Sequence, residues 1–154
     1  MEILSIVAYF VKNSKIQLTK GRLNKLVYLA DWKFSLDYNK QISKINWKFN
    51  HYGPYVDDIE NSIVNDSLNR FEIVADTTYF GSQKYIIKMK QDLNFSLPNN
   101  EEKRVLDLII ELTDELNWTD FINLVYSTYP IKVTSRGDIM DLVKLSKEYK
   151  NTKR

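Results

Sequence analysis

From Leu23 to Phe34 the apolar residues Leu23, Leu26, Val27, Ala30 and Phe34 recur at spacings of three and four. Such spacing places them on one face of a helix, and a stripe that wide has to be buried against other elements. Thr19 stands where an N-cap side chain would accept from the first free amides. The polar run Asp37-Tyr38-Asn39-Lys40 predicts a stop after about Leu36. A shorter helix is predicted over 2–12, from Ile3, Leu4, Val7, Ala8 and Val11 on one face, ended by Lys12-Asn13-Ser14-Lys15.

What covers the long helix has to come from the rest of the chain. Trp47, Phe49 and Tyr52 alternate as in a short extended segment. Gly53-Pro54 is predicted to break it and to start a helix with Pro54 at its first position. Asp57, Asp58 and Glu60 then lie in the first turns, where the helix dipole favours anions. That helix buries Tyr55 or Val56 with Ile59, Ile63 and Leu68. Between Phe71 and Met89 the period changes to two, with Phe80-Gly81-Ser82-Gln83 in the middle, and a β-hairpin is predicted. Three further helix starts pair a capping residue with an acid three positions on: Asn99 with Glu102, Asn117 with Asp120, Ser135 with Asp138. They are expected to bury Val105, Leu108, Ile109, Leu112 and Leu116; then Phe121, Leu124 and Val125; then Ile139, Leu142 and Val143. The expected fold class is mainly α (α+β): a compact helical domain of about six helices with one small β-hairpin, packed on helices because two strands do not stand alone. The 154 residues form one domain, 1–154, with a short basic C-terminal tail at about 150–154. A chain of this length buries roughly 70% of its unfolded surface, so it needs no disulfide or metal to hold a core.

The residue inventory narrows the chemistry. There is no cysteine and one histidine, His51, which excludes a disulfide scaffold, a thiolate site and a multi-histidine metal site. The four glycines are isolated, so no phosphate-cradling loop exists. His51 has no partner spacing for nucleophilic catalysis and is read as a hydrogen-bonded turn residue. No catalytic residue, metal or cofactor is expected, and the protein is read as a non-enzyme. The longest apolar run, Ile3 to Val11 around Ser5, is too short to span a membrane and lacks the basic flank of a signal peptide. A cytoplasmic location with no membrane partner is the expectation.

Charge is segregated. The net charge of +2 divides into +6 over residues 1–54, −8 over 55–120 and +4 over 121–154. Lys12, Lys15, Lys20, Arg22 and Lys25 straddle the first two helices as a candidate basic patch, with Tyr28, Trp32, Trp47 and Tyr52 interspersed along the same half of the chain. Basic surface with aromatics can bind a phosphate backbone or stack bases. Against that stand the absence of an unmistakable helix-turn-helix spacing and an acidic block that repels phosphate. Segregated charge suits a specific protein partner better.

Two stretches together resemble a known family. They are Leu23-Asn24-Lys25-Leu26-Val27-Tyr28-Leu29-Ala30-Asp31 and Trp47-Lys48-Phe49-Asn50-His51-Tyr52-Gly53-Pro54-Tyr55-Val56. The order K-L-x-Y-x-A-D and then Y-G-P is similar to the SocA-like Panacea domain. Leu124-Val125-Tyr126-Ser127-Thr128-Tyr129-Pro130 fits the same family's C-terminal portion, and the resemblance covers about residues 3–149. It implies a mostly helical antitoxin of a bacterial or phage toxin–antitoxin pair, which neutralises a cognate protein toxin by direct binding. In one branch it implies an adaptor that delivers the toxin to a host protease. The resemblance carries no catalytic residues. The partner-binding candidates are Trp47, His51, Tyr52, Gly53, Pro54 and Tyr55, with the basic patch as an electrostatic guide. The alternative is a nucleic-acid-binding regulator that represses its own operon.

Overall fold

In the computed structural model, which describes residues 1–153, the long helix forms as its stripe predicts: α2 spans Lys20–Tyr38. Thr19 Oγ1 accepts from the Arg22 amide at 3.2 Å, and Asn39 ends the helix in the left-handed region at φ 59°. Before it lie α1 (Ile3–Asn13) and the two-residue strand β1 (Leu18–Thr19). After it come β2 (Trp47–Asn50), β3 (Gly53–Pro54) and α3 (Asp58–Val64), then the hairpin strands β4 (Phe71–Thr77) and β5 (Gln83–Met89). The chain closes with α4 (Asn100–Thr113), α5 (Trp118–Tyr126), α6 (Tyr129–Val133), β6 (Ile139–Met140) and α7 (Leu142–Thr152).

The architecture is mainly α with two small antiparallel sheets, larger than the single hairpin expected. One sheet has the order β1-β5-β4, in register Leu18↔Ile87 and Ile73↔Ile87. The other has the order β3-β2-β6, in register Phe49↔Pro54 and Trp47↔Met140. The core runs around α2, which packs on α1, α4, α7 and both sheets and is buried on nearly every side. Its carriers include Phe10, Leu23, Tyr28, Phe34, Trp47, Ile59, Leu106 and Phe121.

Four local expectations change. Pro54 does not start a helix. It pairs with Phe49 in β3, and Asn24 of α2 holds the following backbone extended, so α3 waits until Asp58. The Ser135–Asp138 box does not cap a helix either. Gly137 and Asp138 bond to the backbone of Phe49, which draws Ile139 and Met140 into the sheet. Asp141 then caps α7 by accepting from the Lys144 amide at 3.1 Å. Ile139 is therefore exposed, and Leu68, expected on the buried side of α3, lies beyond that helix's end at Val64 and is exposed too. On α4 the buried face is Val105, Leu106, Ile109, Ile110 and Thr113, and Leu112 faces solvent: the helix is rotated about one position to present Leu106 to the core. Nor is residue 150 the start of a tail, because the Lys150 ammonium donates to the Leu36 carbonyl (3.2 Å) and to Asn39 Oδ1 (2.8 Å), closing the C-terminal end of α2. Of that stretch, Arg154 lies outside the described residues.

Candidate partner-binding surface

Asn24, Tyr28 and Asp31 occur at i, i+4 and i+7 on α2 and so share a face. Each grips the segment that runs from Gln41 to Val56. Asn24 Nδ2 donates to the Val56 carbonyl at 3.2 Å, and Asn24 Oδ1 accepts from the Val56 amide at 3.1 Å. The Tyr28 ring meets the Trp47 ring edge-on at 5.6 Å between centroids, while its hydroxyl pairs with Thr128 Oγ1 at 2.8 Å. Asp31 is fully buried and accepts from the Ser43 amide (2.9 Å), the Ser43 hydroxyl and Trp47 Nε1 (2.8 Å). Burial raises its pKa, and these donors offset part of the rise.

The face of α2 thus fixes both ends of a tight hairpin, and the hairpin presents a two-residue tip. His51 and Tyr52 form the turn between β2 and β3, with the Tyr52 side chain 83% exposed. Gly53 closes the turn at φ +102°, and a Cβ there would stand 3.4 Å from the Tyr126 ring, which also meets Phe49 edge-on. Only glycine suits that conformation. Of the six residues proposed from sequence, His51 and Tyr52 are exposed and Tyr55 is half-buried, its pKa raised by burial. Trp47, Gly53 and Pro54 are buried, with Gly53 and Pro54 in the turn strand and Trp47 in the core.

The basic patch is not assembled as a surface. Lys12 pairs with Asp92 at 2.8 Å and Lys20 with Glu60 at 3.1 Å, and Lys15 stands exposed. Arg22 and Lys25 turn inward. Arg22 Nη2 donates to the carbonyls of Thr113 (2.6 Å) and Leu116 (3.2 Å) at the end of α4, beneath the Phe121 ring. Desolvation by burial lowers the pKa of both.

Sequence reasoning passed over the most exposed aromatics. Tyr79 (96% exposed) and Phe80 (91%) stand at the tip of the β4–β5 hairpin, their rings at a right angle with centroids 5.3 Å apart. The signal was present: two bulky rings beside Gly81 in a turn have no core to reach. Trp118 at the start of α5 is 50% exposed. Among the described residues no group of three or more His, Asp or Glu is placed to hold a metal ion, and no helix is long and apolar enough to cross a membrane.

A family model described as antitoxin SocA-like, Panacea domain, matches residues 23–130. The match starts on the α2 stripe and ends at Pro130, a narrower span than the sequence resemblance suggested. No curated protein and no solved structure matches the chain.

Proposed function

The chain belongs to the SocA-like Panacea antitoxin family, and on that premise we propose that it binds a cognate protein toxin in the cytoplasm and neutralises it by contact, with no catalysis of its own. What carries the reading is the presentation of Tyr52, Tyr79 and Phe80, almost wholly exposed, on two turns held by backbone pairing. Exposed aromatics on rigid frames bury large area on binding at little entropic cost, which is how interface anchors work.

Co-expression with the product of the adjacent gene tests it. That product should arrest growth alone, and this protein should relieve the arrest. Tyr52→Ser and the pair Tyr79→Ser, Phe80→Ser should weaken relief while leaving thermal melting unchanged, since these side chains pack on no core. A harmless neighbour, or arrest that persists in the presence of this protein, would overturn the reading. The toxin's level, followed by immunoblot, separates two mechanisms: a steady level supports blocking, and disappearance supports delivery to a host protease. Repression of its own operon has less to stand on, because Lys12 and Lys20 are paired with acids and Arg22 and Lys25 turn inward, which leaves Lys15 as the one exposed, unpaired member of the patch.

A further inference from the structure

Lys25 is only 3% exposed, yet among the described residues no ion pair or hydrogen bond engages its ammonium. Lys25 Nζ keeps only a sliver of solvent contact, since among the described residues Arg22 Nε is the one fully buried side-chain nitrogen without a partner, and a nearly buried charge with no counter-charge is costly. Its companion is the indole of Trp118, 6.0 Å from Nζ to the ring centroid, which is the outer limit of cation–π attraction. One turn earlier on the same face is Gly21, and Trp118 Cη2 lies 3.8 Å from where a Gly21 Cβ would be. That is ordinary contact distance, so the indole lies against this face of the helix and roofs Lys25, with Trp118 half exposed.

Lys20, Gly21 and Trp118 also wall a groove of about 590 Å³, closed opposite by Thr78, Lys84 and Tyr85 of the hairpin. No carboxylate lines it. Lys20 is satisfied by Glu60 and lies over the Tyr85 ring at 5.2 Å. Lys84 faces Asp76 across the ladder without forming an ion pair. The groove therefore offers two aromatic walls and the Lys84 ammonium, which forms no ion pair, and the Lys25 ammonium lies behind its Trp118 wall.

We infer that this groove receives a short acidic segment of the protein partner, an apolar side chain between Tyr85 and Trp118 with carboxylates reaching Lys84 and, once the indole swings aside, Lys25. Side-chain rotation of that kind is common at interfaces whose backbone stays still. Glu60 and Asp76 flank the lysines, so a phosphate backbone, charged at every step, meets more repulsion than a segment whose carboxylates are spaced by apolar residues. The inference rests on the antitoxin reading only in taking the partner to be the toxin.

The test is fluorescence anisotropy of the full chain with a labelled peptide alternating Glu and Leu, against a peptide alternating Lys and Leu and a labelled oligo(dT). The acidic peptide should bind and shield Trp118 from iodide quenching, the other two tryptophans being buried. Lys84→Glu and Lys25→Met should each weaken it about ten-fold or more. Lys84→Glu changes no buried group, so it decides the matter even if Lys25→Met fails to fold. No binding of the acidic peptide, equal binding by the Lys84 variant, or preference for oligo(dT) overturns the groove. Self-association of the wild type that Lys84→Glu abolishes, seen by sedimentation, overturns it in favour of a second copy. In the growth assay, a wild type that relieves arrest without binding the peptide sinks the groove alone. Peptide binding without relief sinks the antitoxin reading and leaves the groove standing.

Discussion

Single polar side chains decide how tightly local segments are held, and two aspartates do so with opposite pH behaviour: Asp31 on the Gln41–Val56 segment and Asp66 on Arg70. Asp31→Ala removes the acceptor of the Ser43 amide and of Trp47 Nε1 in the core. Leaving such donors unsatisfied should cost about 3 kcal/mol, read as a fall in the urea midpoint. Because burial raises the native pKa of Asp31, its proton is held more tightly in the folded state. The advantage of the wild type over Asp31→Asn should be largest below the unfolded value near ~4 and shrink as pH rises through the raised one. Asp66 behaves in reverse. Arg70 donates from Nε and Nη2 to its two oxygens at 3.0 and 3.1 Å, and this pairing lowers the Asp66 pKa. The advantage over Asp66→Asn should be full above pH ~4 and vanish as pH falls below it. Denaturant midpoints across a pH series for the two variants check both signs. If both differences moved the same way with pH, one assignment of burial against pairing would be wrong.

At the scale of elements, most of the helices are legible in the amino-acid sequence. The stripe, the Thr19 cap and the Asn99–Glu102 box each act within a few residues, so tertiary context had little to override. The 71–89 hairpin was legible for the same reason, its period of two matching the register Phe71↔Met89 to Thr77↔Gln83. Strand β6 was not. Ser135–Asp138 spells a helix start, and only pairing with β2, distant in sequence, turns it into sheet. The β2–β3 turn depends equally on its surroundings: Gly53→Ala should cost about 1–3 kcal/mol because φ +102° strains any L side chain. Melting temperature measures that loss, and Tyr126→Ala in the same chain should recover little of it, since space is not the main obstacle. A full recovery would locate the cost in the Tyr126 contact instead.

For the whole molecule, folding ties the oppositely charged blocks of the chain together at a few pairs but leaves most of the segregated charge unpaired between them. Lys12 pairs with Asp92, Lys20 with Glu60 and Arg104 with Asp37, each joining the first block to the second. The Lys12 and Lys20 pairs are partly exposed and contribute ~0.2–1 kcal/mol each. Raising NaCl to ~0.5 M should therefore lower stability by no more than about 2 kcal/mol, measured by denaturant midpoint. A much larger loss would mean that block charge, and not the core around α2, holds the fold. The amino-acid sequence by itself determined which segments are helical, where most of them start, and that α2 is the axis, because periodicity and capping are local. It also held the line Asn24, Tyr28, Asp31, whose common face follows from helical pitch. Only the tertiary structure decided which aromatics face water and which cations are left without partners. Burial and pairing are set by what arrives from elsewhere in the chain: Trp47 is claimed by Asp31, Arg22 by the end of α4, and Lys25 is roofed by Trp118 with no carboxylate in reach.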